Sequence, residues 1–124
     1  MAVMRYIVTD VNAAVAFYTG RLGFTVKQQF GPNMAILQRE DLTLWVAGPG
    51  ASASRPMPDG RQPEPGGWNR FVIEVSSLAE TVDDMRRHGV RFRNEIVVGP
   101  GGLQILCEDP SGNVIELFEA AGKS

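Results

Sequence analysis

The chain has one cysteine, Cys107, and one histidine, His88. A lone cysteine excludes an intrachain disulfide framework and favours a reducing compartment, the cytoplasm. A lone histidine removes the commonest metal ligand and proton carrier from almost every position. No apolar run approaches the roughly 20 residues needed to cross a bilayer as a helix, so no membrane is expected as partner. The N-terminus, MAVMRYIVTD, lacks the charged-then-apolar pattern of a secretory leader and reads as a first strand. Twelve Lys+Arg against 14 Asp+Glu give a formal charge of −2. That balance offers no electrostatic attraction to nucleic acid or to an anionic membrane. Phosphate-binding glycine loops, Ser/His/Asp sets and metal-type cysteine pairs are missing as well.

What is present is 124 residues at 44% apolar and 21% charged, one ordinary domain with enough chain to bury a core. Val3–Thr9 is a β-prone run. Asp10 or Asn12 can cap a helix from Ala13 to about Arg21, with Gly20 and Gly23 as candidate stops. Tyr18 is helically spaced with Val15 and Leu22 and reads as core. Phe24–Phe30 follows as a strand, then Gly31-Pro32-Asn33 as a turn. Met34–Gln38 and Leu42–Ala47 pair as a hairpin across Arg39-Glu40-Asp41.

Residues 48–67 hold five prolines and five glycines without periodicity. Such a stretch forms neither a helix nor a central strand. A loop of this length in a compact domain is functional or a linker. Arg55, Met57 and Arg61 distinguish it from a Gly/Ser spacer, and its prolines suit an ordered lid or a dimer contact. Trp68–Val75 then alternates, with Phe71, Ile73 and Val75 on one face and Arg70, Val72 and Glu74 on the other. Ser77 to Glu80 fits a capping box, and Leu78, Val82 and Met85 form a helical stripe ending at Gly89. Val90–Arg93 is a strand, with Arg91 and Arg93 read as surface charges, and Asn94–Val98 is a further extended piece. Leu103–Glu108 and Val114–Glu119 close the chain as a hairpin around Asp109-Pro110-Ser111-Gly112-Asn113.

Strand, helix, then three strands therefore occur twice. The helix-ending glycines, Gly23 and Gly89, lie 66 residues apart (89 − 23). This predicts an α+β fold of two βαβββ modules, residues 1–47 and 68–124, joined by the loop 48–67 within one domain. Each module buries its helix on one sheet face, and the two remaining faces would enclose a cleft.

The segments Asp10-Val11-Asn12-Ala13-Ala14-Val15-Ala16-Phe17-Tyr18, Leu22-Gly23-Phe24 and Glu108 to Leu117 resemble the vicinal oxygen chelate superfamily. That superfamily includes glyoxalase I, bleomycin-resistance proteins, fosfomycin-resistance enzymes and extradiol dioxygenases. The resemblance implies the glyoxalase/bleomycin-resistance-type curved sheet with a cleft, and a homodimer. It also implies four metal-ligand positions filled by His or Glu, which fall near Val3, near Trp45, at Arg70 and at Glu116. Only Glu116 has a donor for a divalent cation. Valine has none, indole has only an N–H, and arginine stays protonated. A catalytic metal site usually needs about three protein ligands, so no metal and no other cofactor is expected, a divalent metal being the family's alternative.

Glu116 lies between Ile115 and Leu117 and must point away from them. It is expected to face the cleft within reach of an arginine, Arg70 before others. The expected ligand-binding residues are Arg5, Thr43, Trp45, Arg55, Met57, Trp68, Arg70, Glu74, Gln104, Glu116 and Phe118. Trp45 reads either as an aromatic wall or as a core tryptophan. Cys107 reads as a buried, inert thiol. Two functions follow. One is a metal-free binding protein for a small aromatic or anionic ligand. The other is a lyase, isomerase or dioxygenase in which Glu116 is the base or a metal ligand.

Overall fold

The computed structural model describes residues 2–122. The outer bounds of the expected modules, residues 1, 123 and 124, lie outside them. The chain forms two compact units. One holds the residues up to Gly66 together with Pro110–Asn113, the other Gly67–Asp109 together with the residues from Val114 on.

The first unit runs β1 (Met4–Ile7), α1 (Val11–Arg21), β2 (Thr25–Phe30), β3 (Met34–Arg39) and β4 (Leu42–Ala47). The sheet order is β1-β4-β3-β2, with β1 parallel to β4 and the other pairs antiparallel. Asp10, in extended conformation, accepts the Ala13 N–H at 3.0 Å, so α1 starts two residues earlier than expected. Gly20 stays within the helix. Gly23, at φ 73°, ends it, and Phe24 donates its N–H to the Tyr18 carbonyl at 3.0 Å. Tyr18, Ala35, Leu37, Leu44 and Val46 are fully buried, and Phe17 and Phe24 meet the Tyr18 ring edge to face. Burying each such side chain contributes about 1.5–3 kcal/mol before the entropy of ordering it.

The second unit runs β5 (Val72–Glu74), α2 (Leu78–Arg87), β6 (Arg91–Phe92), β7 (Val97–Gly99), β8 (Gly102–Glu108) and β9 (Val114–Ala120). β5 is parallel to β9, β9 antiparallel to β8, and β6 and β7 both pair with β8. The strand expected over Trp68–Val75 is shortened to three residues. In the register that pairs Val72 with Glu116, residues before Arg70 would face the turn ahead of Val114, where no ladder exists. β6 and β7 are one strand with an interruption. Arg93 donates its N–H to the Leu106 carbonyl at 2.9 Å, and the Asn94 side chain then accepts the Leu106 N–H at 2.9 Å in place of a main-chain oxygen. The first unit is irregular at the corresponding point, where β2 shifts register between Val26 and Gln28. The 66-residue offset of the helix-ending glycines carries Lys27 onto Arg93, so the duplication extends to these interruptions.

Ser77 caps α2 by accepting the Glu80 N–H at 3.3 Å. The Leu78 N–H goes to a distant carboxylate, Glu119 Oε1, at 2.7 Å. A negative charge there also suits the helix dipole. Leu78, Val82 and Met85 are buried as the stripe predicts, and Gly89, at φ 79°, closes the helix.

Residues 48–67 bond mainly to themselves. They contain a 3₁₀ turn, Ser52–Ser54, whose Ser54 hydroxyl donates to the Gly48 carbonyl at 2.7 Å. Farther on, Met57 and Arg61 are joined by a main-chain bond at 2.8 Å. The end of the loop is fixed by Asn113, which is 4% exposed. Its amide accepts the Gly66 N–H at 2.8 Å and donates to the Ile7 carbonyl at 2.8 Å. One side chain thus ties the end of β1 to the end of the loop.

Two predictions follow from these packed groups. Asn113→Ala strands two main-chain groups and lowers stability by about 2 kcal/mol or more, read as a lower urea midpoint with an unchanged slope. Asn113→Asp is no better, because it sets a carboxylate oxygen against the Ile7 carbonyl. Burial of Cys107 in β8, with smaller contributions from Asp109 and Glu108, pushes its thiol from 9.0 up to about 12. Below pH 9 both folded and unfolded chains keep the proton. Between about 9 and 12 the unfolded chain loses it first, so this group's contribution to stability falls by at most ~1.4 kcal/mol per pH unit. The stability gap between wild type and Cys107→Ala should therefore narrow from pH 9 to 11, and a constant gap would contradict the assignment.

Candidate functional site

β9 is bonded on both sides, by β5 and β8. Its pleat sends Ile115 and Leu117 into the core, both fully buried, and Glu116 to the opposite face at 8% exposure. A carboxylate removed that far from water needs a compensating charge or donors. Arg70 supplies both. Its Nε and Nη2 donate to Glu116 Oε1 at 3.1 and 2.9 Å, and Nη1 donates to the Trp68 carbonyl at 3.3 Å. The expected ion pair is present. Among the described residues Glu116 Oε2 has no hydrogen-bond partner, so that oxygen keeps its capacity to accept a donor.

The same sheet face carries most of the other candidates from this unit. The ladder sets Val72 beside Glu116, and Glu74 and Gln104 beside Phe118. Glu74 and Val72 are exposed, and Gln104 and Phe118 are half-buried. The structure thus brings Arg70, Glu74, Gln104, Glu116 and Phe118 onto one surface, with a cation and a carboxylate at its centre and an aromatic ring beside them.

Trp68 lies at the margin of this surface and is 68% exposed. The Arg93 guanidinium stacks on its ring at 4.6 Å. Arg93 also donates to the Gly67 carbonyl at 2.7 Å and to Glu108 at 2.8 Å, and its side chain is only 16% exposed. The expectation that Arg93 is a surface charge is therefore wrong, whereas Arg91 is exposed. Arg93 is an organising residue that holds the segment leading to Arg70. The strand pattern around Phe92 hid it, because the partners come from residues 67–68 and 108, remote in sequence. The interruption after Arg93 was the available signal.

In the first unit Arg5 and Trp45 are ladder partners, and the Arg5 guanidinium lies 4.9 Å over the Trp45 ring. Trp45 is half-buried on the face opposite Leu44 and Val46, which supports the wall position rather than the core one. Thr43 shares that face. Arg55 and Met57 are exposed on the loop, and among the described residues no hydrogen bond or ion pair joins them to Arg5, Thr43 or Trp45.

The donors present do not fit a divalent metal. Glu116 gives one oxygen to a guanidinium, and no cluster of three His, Cys, Asp or Glu suited to a metal ion occurs among the described residues. His88 caps the end of α2, where its Nδ1 meets the Asp84 carbonyl at 2.8 Å. Cys107 is buried, and its raised pKa keeps it a neutral thiol. No described helix is long and apolar enough to cross a membrane.

No curated protein matches the chain in sequence. Solved structures do match it. Lactoylglutathione lyase from Agrobacterium tumefaciens is similar with a TM-score of 0.72 at 20% identity, over 95% of this chain and 92% of that one. The fosfomycin resistance protein FosX from Listeria monocytogenes is similar at 0.73 and 15%, over 98% and 93%. A bleomycin-binding protein from Streptomyces verticillus, complexed with copper(II)-bleomycin, is similar at 0.63 and 19%, over 97% and 95%. At these identities the likeness establishes the fold. The profile of the Glyoxalase/Bleomycin resistance protein/Dioxygenase superfamily matches residues 1–117, and the chain belongs to that superfamily.

Proposed function

We propose that the chain binds a small aromatic or anionic molecule without the metal site of its superfamily. The observation that carries this is the Arg70–Glu116 pair. A guanidinium occupies a position where metal-binding relatives would place a ligand, and it engages the one carboxylate that could have served as another. A guanidinium has five N–H donors. Three of them are used by Glu116 and Trp68, which leaves two for a ligand carboxylate or phosphate. The Arg70 side chain is 30% exposed, so those donors can be reached. Trp68 offers a ring for stacking, with Arg93 against it. Glu74, Gln104 and Phe118 complete this surface on the second unit. Arg5, Thr43 and Trp45 form the candidate surface of the first unit, and Arg55 and Met57 are exposed on its loop. The bleomycin-binding relative supports a binding role in this superfamily.

A lyase, isomerase or dioxygenase role has one observation in its favour. Glu116 Oε2 has no partner among the described residues and could take a proton from a substrate. Against it, the other oxygen already accepts two donors from Arg70, which holds the carboxylate in that pair. The protein is further proposed to be a cytoplasmic homodimer. Among the described residues β2 pairs only with β3, and it exposes all six of its residues, among them Val26 and Phe30, which makes it an open edge able to recruit a second chain.

Elemental analysis and native mass spectrometry of protein purified without chelator test this. The expected result is no stoichiometric metal, a mass of twice the chain, and a retained small molecule that is lost on Arg70→Met. One metal per chain, lost on Glu116→Gln, would reverse the assignment in favour of catalysis.

A further inference from the structure

The first unit holds a pocket of about 270 Å³ at one end of its sheet, lined by Arg5, Phe30, Asn33, Met34, Ala47 and Gly50 among others. Phe30 and Met34 face each other across β2 and β3, and Met34 faces Ala47 across β3 and β4. These three side chains form a continuous apolar floor. The opposite wall is the chain after β4, held close to the β2–β3 turn. Gly48 donates its N–H to the Asn33 carbonyl at 2.8 Å, and a Cβ on Gly50 would collide with the Asn33 side-chain oxygen. Any side chain at position 50 would therefore have to displace the Asn33 amide.

The charged group at the pocket is Arg5, with Asn33 and Ser52 as neutral polar residues. The Arg5 guanidinium carbon lies 4.9 Å over the centre of the Trp45 ring, and among the described residues Arg5 has no ion-pair partner. A cation–π contact does not consume N–H donors in hydrogen bonds, so they remain for a ligand. An unpaired fork of donors beside an apolar floor selects a planar anion attached to an apolar body. Size narrows the body. An apolar cavity of roughly 150 Å³ holds benzene, so 270 Å³ has room for one ring with a short acidic substituent. The neighbouring pocket at the start of α1 is lined by Asp10 and does not suit an anion.

We propose that this pocket binds a monocyclic aryl carboxylate, with the ring on Phe30, Met34 and Ala47 and the carboxylate on Arg5. The inference shares Arg5 with the proposed function and goes beyond it in giving the first unit its own pocket and ligand class. The test is a titration of the full ¹⁵N-labelled chain with benzoate and, separately, with neutral benzyl alcohol, followed by amide shifts. Benzoate should shift residues 33–35 and 50–52 saturably and bind about tenfold or more tighter than benzyl alcohol. Arg5→Met should bring benzoate down to the level of benzyl alcohol. Met34→Trp, which fills the pocket, should abolish both, and Gly50→Ala should weaken both by displacing Asn33. Equal binding of the two probes, or benzoate shifts confined to Arg70 and Trp68, would overturn the proposal. The second of those outcomes would leave the proposed function intact. Conversely, shifts at 33–35 and 50–52 that persist in Arg70→Met would support this pocket whatever becomes of the Arg70 surface.

Discussion

A carboxylate in the middle of a strand bonded on both sides has very few acceptable surroundings. Water is largely excluded from Glu116, and the core beneath it is filled by Ile115 and Leu117. Only a positive charge or a set of donors can make that position tolerable. Arg70 meets the requirement from two residues before β5, the strand whose parallel register on β9 starts with Val72 against Glu116. The pair therefore fixes more than two side chains. It sets where the segment after Gly67 must run, and Arg93 secures that path from the other side through Gly67 and Trp68.

The same pair decides what chemistry the surface can perform. A metal site in this fold needs several donors around an empty centre. Here the Arg70 guanidinium takes an oxygen of Glu116 instead. What is left is a partly exposed guanidinium with two free donors, a carboxylate oxygen with spare capacity, and aromatic side chains nearby. On the function proposed above, such a set serves to hold a small molecule. The first unit repeats the theme in simpler form, with Arg5 stacked on Trp45 beside an apolar pocket.

Most of this was legible in the sequence because strand alternation and helix punctuation are local. The alternation Arg70-Phe71-Val72-Ile73-Glu74 assigns faces without any tertiary information, and the buried Phe71 and Ile73 agree with it. Gly23 and Gly89 mark helix ends because only glycine adopts that backbone cheaply. Arg70 could be named as the partner of Glu116 because the superfamily resemblance implies neighbouring ligand positions at both. What the sequence concealed depends on distant partners. Arg93 reads as a solvated charge until Trp68, Gly67 and Glu108 are seen around it. Asn113 reads as a turn residue until its amide is seen holding Ile7 and Gly66. Glu119 reads as the polar end of a strand until it caps α2. The pocket at Arg5 was hidden for the same reason, since its wall depends on the contact of Gly50 with Asn33.

The account stands or falls on whether Glu116 and Arg70 are energetically one unit. A double-mutant cycle of Arg70→Met and Glu116→Gln, measured by equilibrium urea denaturation, tests this most directly. The account predicts that each single change destabilises, that the double change costs less than the sum, and that the coupling is about 1–3 kcal/mol, as for a partly buried charged hydrogen bond. Additive effects, with coupling below about 0.3 kcal/mol, would contradict it and return Glu116 to the role of a free carboxylate.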